Sequence, residues 1–252
     1  MQTSGNTIFI TGGGSGIGRA LAERLHRNGN TVIIAGRQET TLNAVVAANP
    51  GMHALTLDIA DVASIRSCVH DLITRFPELN VLLNNAGIMK IEDVKTAADG
   101  FDTIDETIAI NVLGPLRLTS ALLPHLLRQR RATILTVSSG LAFVPMAMTP
   151  TYSATKAALH SYSMSLRRQL RDTSVDVIEI VPPYVQTSLT GEHQASDPNA
   201  MPLVEFIDEV MLGLSAATGG KEIIVDRCRP LRFAAEDGKM DVMFDIVNSM
   251  LH

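Results

Sequence analysis

Thr7-Ile8-Phe9-Ile10-Thr11-Gly12-Gly13-Gly14-Ser15-Gly16-Ile17-Gly18 is the stretch on which the reading of this chain turns. Its first part is a short β-branched run that suits a buried strand. Its second part is a glycine-rich turn that opens directly into a helical pattern, Ile17 to Asn28. Glycine lets the backbone turn tightly and approach a ligand, and the helix N-terminus behind it offers unpaired amides and a positive dipole to a pyrophosphate. A glycine-rich loop alone is often a plain turn. With a strand before it and a helix after it, the nucleotide reading leads, and Gly12, Gly14, Ser15, Gly16, Ile17 and Gly18 become candidate cofactor contacts.

The same alternation continues outward. Strand-like runs at Thr31 to Ala35, His53 to Leu57, Val81 to Asn84, Thr133 to Val137, Asp176 to Val181 and Glu222 to Val225 are separated by helical patterns such as Glu39 to Ala48 and Asp61 to Phe76. That order predicts an α/β fold, a doubly wound parallel sheet of about seven strands flanked by helices with right-handed crossovers. No internal repeat or linker interrupts it, so one domain over residues 1–252 is expected. Two segments break the rhythm: a polar surface loop at 186–202, of a length that is often functional, and an extension at 229–252 with a helical pattern from Met240 to Leu251.

Bulk properties narrow the function. Hydrophobic residues make up 46% and charged residues 19%, too apolar for a disordered chain. A net charge of −5 gives no basic field for nucleic acid. No leader precedes the first strand and no apolar run approaches a membrane span, so no membrane partner and a cytoplasmic location are expected. Cys68 and Cys228 suit neither a disulfide framework nor a metal site, the histidines show no clustering, and no metal is expected; Cys68 reads as a small core residue.

The chemistry-bearing candidate is Tyr152-Ser153-Ala154-Thr155-Lys156, with Ser139 upstream. Residues four apart share a helix face, so the Tyr152 phenol and the Lys156 ammonium look into one space. A neighbouring cation favours phenolate and is expected to lower the tyrosine pKa, fitting it for proton transfer. A serine hydroxyl can steady the oxygen on which charge collects. Tyr and Lys at this spacing are more often a buried ring and a solvated amine, so the reading needs support elsewhere.

Supporting groups lie where ligands bind in open α/β sheets, at the carboxyl ends of predicted strands. After the second strand comes Gly36-Arg37-Gln38, a guanidinium where a carboxylate would select NAD; NADP(H) is therefore expected over NAD(H), with a solvated loop Arg37 as the competing reading. Asp58 and Ile59 follow the third strand and Asn85, Ala86 and Gly87 the fourth; Asp58 also suits helix capping, and Asn85 and Gly87 suit a turn. Asn111 lies in a long apolar helix, Phe101 to Arg128, interrupted by Gly114-Pro115. Pro115 cannot donate to the Asn111 carbonyl, which either holds an ordered water or marks a simple kink with a satisfied core asparagine.

Taken jointly and in order, Thr11-Gly-x-x-x-Gly16-x-Gly18, Asn84-Asn85-Ala86-Gly87, Asn111, Ser139, Tyr152-x-x-x-Lys156 and the proline-led turn Pro182 to Thr187 resemble the short-chain dehydrogenase/reductase family over nearly the whole chain. The stretches Ser139 to Phe143 and Leu166 to Val175 resemble one subgroup of that family more closely. The resemblance implies an NAD(P)-dependent enzyme acting on the CH–OH or carbonyl group of a small molecule. It implies Tyr152 as general acid/base, Ser139 at the substrate oxygen, Lys156 on the tyrosine and the nicotinamide ribose, and Asn111 on a relay water. It also implies Asp58 at the adenine, Asn85 in the cofactor cleft, and Pro182, Val185 and Thr187 near the carboxamide. The chain departs from the family in having Pro182-Pro183 where Pro-Gly is usual.

Leu141, Val144, Met146, Met148, Tyr184 and Leu189 flank these groups and are expected to wall an apolar substrate pocket, although core or interface packing explains them equally. Ala154, Ala157, Ala158, Ser161 and Ser165 form a small-residue stripe opposite Tyr152 and Lys156, which packs either on a helix of the same chain or, as the resemblance implies, on a second copy in a homodimer or homotetramer. A catalytically silent dinucleotide sensor or scaffold is the competing function, since a fold does not fix an activity.

Overall fold

The computed structural model describes residues 1–95, 101–216 and 221–249. Seven parallel strands run in the order β3-β2-β1-β4-β5-β6-β7: β1 Thr7–Thr11, β2 Thr31–Gly36, β3 His53–Thr56, β4 Leu79–Asn84, β5 Ala132–Val137, β6 Val175–Val181 and β7 Glu222–Ile224. Helices α1 Gly16–Arg27, α2 Glu39–Ala48 and α3 Val62–Arg75 link the first four strands. Between β4 and β5 run α4 Phe101–Ile108, a π-helical turn Ala109–Leu113 and α5 Gly114–Leu126. Helix α6, Pro150–Gln169, precedes β6, and α7 Glu192–Ala195 and α8 Leu203–Ala216 precede β7. The chain ends in α9 Arg229–Arg232 and α10 Met240–Ser249; Leu251, the end of the helix expected there, lies outside the described residues.

The central strands are buried on both faces, as parallel strands are when helices cover each side; β5 is buried at every position. On one side Leu21, Leu25, Phe206 and Val210 seal the sheet with Ile8, Ile10 and Ile180; on the other, Leu72, Leu118, Leu122 and Leu126 seal it with Phe9, Leu82 and Ile134. Each such side chain contributes about 1.5–3 kcal/mol by leaving water. Cys68 belongs to the second of these clusters, the small core residue expected from the sequence. Strand order reverses beside β1, which pairs with β2 on one edge and β4 on the other. The loops leaving these strands therefore diverge and open a crevice at their carboxyl ends.

Residues 101–126 form one continuous run of α- and π-helical turns that is long and apolar enough, by length and composition only, to cross a membrane, although no uninterrupted apolar run was expected or is present in it. Leu118, Leu122 and Leu126 are fully buried against the sheet, while Phe101, Ile104, Ile108 and Leu113 of the same helical stretch are exposed.

Candidate active site

Four strand ends build the crevice, an open cleft of about 460 Å³. Gly12, Gly14 and Ser15 line it from the loop after β1, Arg37 from β2, Asp58 and Ile59 from β3, and Ala86 and Gly87 from β4. All eight are candidates read from the sequence. Thr11, Gln38, Thr41, Leu42, Ile88 and Ile110 line it too and were missed, because each reads as an ordinary strand, helix or loop residue. Ser15 is the N-cap of α1 and makes no side-chain cap hydrogen bond, so the amides of the first turn are left for a ligand beside the cleft. A glycine loop without Cβ atoms, an uncapped helix start and a guanidinium across the cleft fit a dinucleotide phosphate.

Other glycines and polar groups of the motif hold the loop in shape. Gly12 and Gly16 adopt φ of +67° and +51°, which side-chain-bearing residues rarely do. A Cβ on Gly18 would stand 2.3 Å from the Gly12 carbonyl oxygen and 2.4 Å from Asn85 Nδ2, so Gly18 serves close packing of α1 rather than a ligand. Ile17 packs against the apolar cluster of its side of the sheet. Asn85, expected in the cleft, instead ties the loops together: its Nδ2 donates to the Thr11 carbonyl at 3.0 Å and to that of Gly12 at 3.4 Å. Thr11 Oγ1 answers by accepting the Asn85 and Ala86 amides, each at 3.0 Å. The signal for that clamp was a polar residue ending an otherwise apolar strand.

Arg37 is more than half exposed, with Glu106 of α4 3.9 Å away. Lys90 holds Glu106 more closely, and this contact, with Arg37 behind it, keeps the Glu106 carboxyl below the usual range. Asp58 accepts the Ala60 amide at 3.0 Å, while Asp61 is the residue that caps α3, accepting from Ala63 and Ser64.

Beyond the cleft stand Ser139, Tyr152 and Lys156. Pro150 at the start of α6 fixes φ where no donor is needed, and the 20-residue helix carries Tyr152 and Lys156 on its buried face. Lys156 Nζ lies 5.4 Å from the Tyr152 ring centre and donates to the Val137 carbonyl at 2.9 Å. A Cβ on the cleft residue Gly87 would stand 3.7 Å from the same ammonium, which places Lys156 between the cleft and the Ser139–Tyr152 pair. Ser139 caps the short 3-10 turn Gly140–Ala142, accepting the Leu141 amide at 3.1 Å, and its hydroxyl pairs with the Tyr152 side chain. Burial pushes the Tyr152 phenol up to about 12, the Ser139 contact opposing this only in part. This is opposite to the lowered value expected from the sequence, because two groups that share a helix face also share its desolvation. Burial likewise pulls Lys156 down to about 8, with Glu179 acting to raise it.

Asn111 is fully buried in the π-helical turn. Its Oδ1 accepts the Ile88 amide at 2.9 Å, and its Nδ2 donates to the Ile88 carbonyl and to Thr155 Oγ1. The side chain thus pins the loop after β4 to the helix of Tyr152. The irregularity expected at Gly114-Pro115 is this π turn, in which the Gly114 amide reaches back to Ala109.

The expected substrate wall divides. Leu141, Val144 and Met146 pack with Leu231, Ala234, Met243 and Val247 of the C-terminal segment, so they meet the extension. Asn248 of α10 fastens the same loop, accepting the Ala147 amide and donating to the Pro145 carbonyl. Tyr184 and Leu189 are exposed, Tyr184 donating to Asp197. Met148 offers its carbonyl to the Glu92 amide. Pro182 and Val185 are buried; Pro182 accepts the Gly140 amide, and Val185 bridges to Met201. A Cβ on Gly16 would lie 3.5 Å from Thr187, so the 186–202 loop leans on the glycine turn. Cys228, unassigned from the sequence, is buried beside Gly140.

Behind Lys156 is a charge network the sequence did not disclose. His160, Glu179 and Glu222 bring ligand-type atoms within 4.8 Å of one another, but Arg232 already grips both Glu222 oxygens at 2.6 and 3.2 Å, which makes it an ion-pair network. The available signal was a lone glutamate inside the apolar strand Val175–Val181.

The family model described as short chain dehydrogenase matches residues 6–198. "Uncharacterized oxidoreductase DltE" of Bacillus subtilis is 40% identical over 252 residues, covering 99% of each chain. "Uncharacterized oxidoreductase SERP2049" of Staphylococcus epidermidis is 30% identical over 210 residues, 82% of this chain and 89% of its own. Among solved structures, a short-chain dehydrogenase from Sphingobium yanoikuyae in complex with NADPH superposes with a TM-score of 0.80 at 25% identity, covering 95% of each chain. One from Burkholderia cenocepacia in complex with NADP reaches 0.83 at 24% identity, covering 97% of this chain and 99% of its own, and shares the fold.

Proposed function

This chain belongs to the short-chain dehydrogenase/reductase family, and on that premise we propose that it transfers a hydride between NADP(H) and the carbonyl or alcohol carbon of a small molecule. The observation that carries the reading is the placement of the Lys156 ammonium between the Tyr152 ring and the cleft residue Gly87, with Ser139 on the phenol. A bound nicotinamide supplies the hydride. The chain's own residues orient the partners and move the proton.

Gly12, Gly14 and Ser15, with the first-turn amides of α1, would hold the pyrophosphate, Arg37 the 2′-phosphate, and Asp58 and Ile59 the adenine side. Val185 and Thr187 would meet the carboxamide from the loop that leans on Gly16. In reduction, Ser139 steadies the substrate oxygen while Tyr152 gives that oxygen its phenolic proton. A phenol held near 12 is fully protonated at neutral pH and is ready as the acid. Lys156, charged below about 8, faces the phenolate that forms and offsets the burial of its charge. Asn111 holds the framework, with its carbonyl, which Pro115 cannot engage, available to a relay water.

The exposed side chains of Tyr184 and Leu189, in the segment that follows β6, favour a carbonyl compound with an apolar body. The small-residue stripe on α6 is exposed over Ala154, Ala157, Ala158, Ser161 and Ser165, so it does not pack within the chain and suits a second copy. Carbonyl-dependent oxidation of NADPH, followed at the cofactor absorbance over aldehydes and ketones of graded size, tests the reaction. Wild type should turn over at least one class and Tyr152→Phe none. A wild type that binds NADPH yet reduces nothing would return the reading to a silent sensor.

A further inference from the structure

Glu179 has no part in the reaction so far, and its position is unusual. It sits in β6 with no solvent exposure, and its in-register neighbour on β7 is another carboxylate, Glu222. Like charges directly opposite in a sheet are destabilising, and a buried carboxylate is costly unless it is paired. An apolar residue would suit a parallel strand better. The surroundings treat the two acids differently. Glu222 is held by Arg232 through two hydrogen bonds, and Arg232 lies 4.6 Å over the Phe143 ring. Glu179 has a single partner: its Oε2 is 2.8 Å from His160 Nδ1, and its Oε1, also buried, has none among the described residues.

His160 is one helical turn beyond Lys156 on α6, as Lys156 is one turn beyond Tyr152. On the sheet side, Glu179 is the register partner of Thr136, the residue before Val137, whose carbonyl holds the Lys156 ammonium. The Glu179 carboxylate therefore stands behind the lysine, under the same stretch of α6. The charged and titratable groups facing it are Lys156, His160 and Arg167 from α6, Glu222 from β7 and Arg232 from α9. Arg167 donates through Nε and Nη2 to the Val177 and Lys221 carbonyls and is attracted by both glutamates, while Arg232 is taken by Glu222 and Glu236.

We propose that Glu179, fixed by His160, is a positioning residue for proton transfer that acts on the Lys156 ammonium from behind α6, with Arg232 of the C-terminal segment engaged by Glu222 instead. This rests on reading Lys156 as part of the reaction group.

The test reads the lysine itself and needs no turnover. Protein labelled with 13C at lysine Cε is titrated by NMR, the Lys156 signal being identified by its loss in Lys156→Arg. The wild-type midpoint should lie near 8. In Glu179→Gln, which keeps an acceptor for His160 but removes the charge, it should fall by about one pH unit or more. Glu179→Asp keeps the charge but withdraws it by one methylene, so it should move the midpoint the same way by less; it also stands in should the amide variant not fold. An unchanged midpoint in the folded variants overturns the proposal, whereas a purely structural role would lower the melting temperature and leave the midpoint in place. Movement of the midpoint in a protein that reduces no carbonyl would uphold the coupling and remove the hydride-transfer reading.

Discussion

Adding one methyl group at Gly18 tests how the cofactor loop is built. Gly18→Ala places a Cβ 2.3 Å from the Gly12 carbonyl oxygen, 2.9 Å from the Gly12 carbonyl carbon and 2.4 Å from Asn85 Nδ2. Two of these atoms are backbone, and the third is fixed by hydrogen bonds to Thr11 and Gly12. No flexible side chain is available to yield. Either α1 moves off the sheet or the Asn85 amide leaves its carbonyls. Overpacking of this kind costs about 1–3 kcal/mol, and stranding the amide adds about 1–3 kcal/mol. Together they predict a melting temperature lower by about 4 °C or more for a domain of this size. Because Gly12 lines the cleft, NADPH affinity should fall at least about tenfold. Gly14→Ala is the control: its Cβ meets the movable Thr41 methyl at 3.1 Å and Leu42 Cδ2 at an ordinary 3.7 Å, so stability should change by less than about 1 kcal/mol. The measurements are thermal unfolding with and without NADPH and titration of the cofactor by fluorescence. A Gly18→Ala protein that melts with wild type and binds NADPH equally would refute the close-packing account of the loop.

Arg37→Asp should weaken NADPH binding by about 10–100-fold, the worth of charge-assisted contacts to a phosphate, and should improve NADH, because an aspartate beside Glu106 repels the phosphate and accepts from a ribose hydroxyl. Equal KM values for NADPH and NADH in wild type would contradict the assignment of Arg37. The pH profile for carbonyl reduction should be level through neutrality and decline as pH rises through about 8, where Lys156 loses its proton, while Tyr152 keeps its own up to about 12. The sign for stability is opposite for this lysine: its folded value lies below the unfolded one, so its burial is destabilising at low pH and that penalty is relieved as pH rises from about 8 toward 10.5. A profile that rises through pH 8 would contradict the role given to the ammonium. Light scattering should find a species of at least twice 27.1 kDa, and a lone subunit would contradict pairing through α6.

What was legible in the sequence was local or periodic. Alternating strand and helix patterns anticipated the seven parallel strands, and the glycine turn placed the cleft, because tight turns and buried strands leave marks within a few residues. Tyr152 and Lys156 share a face because helix geometry dictates it. What escaped depends on contacts between distant segments. Asn85 reads as a cleft residue, yet it is drawn to Thr11 and Gly12 across two loops. Leu141 and Met146 flank the reaction groups in sequence but pack with the C-terminal segment. The direction of the Tyr152 shift was misjudged because spacing reveals the neighbouring cation and says nothing of the burial around both. The His160–Glu179 pair joins α6 to β6 and has no sequence spacing to announce it.

Transfer of the label from NADPH deuterated at both C4 positions tests the central claim most directly. With a carbonyl substrate from the panel, wild type should deliver one deuterium to the new carbinol carbon by mass spectrometry, and Tyr152→Phe should bind the cofactor with near-wild-type affinity but deliver none. A labelled alcohol formed at the wild-type rate by Tyr152→Phe, or an alcohol from wild type carrying no deuterium, would contradict it.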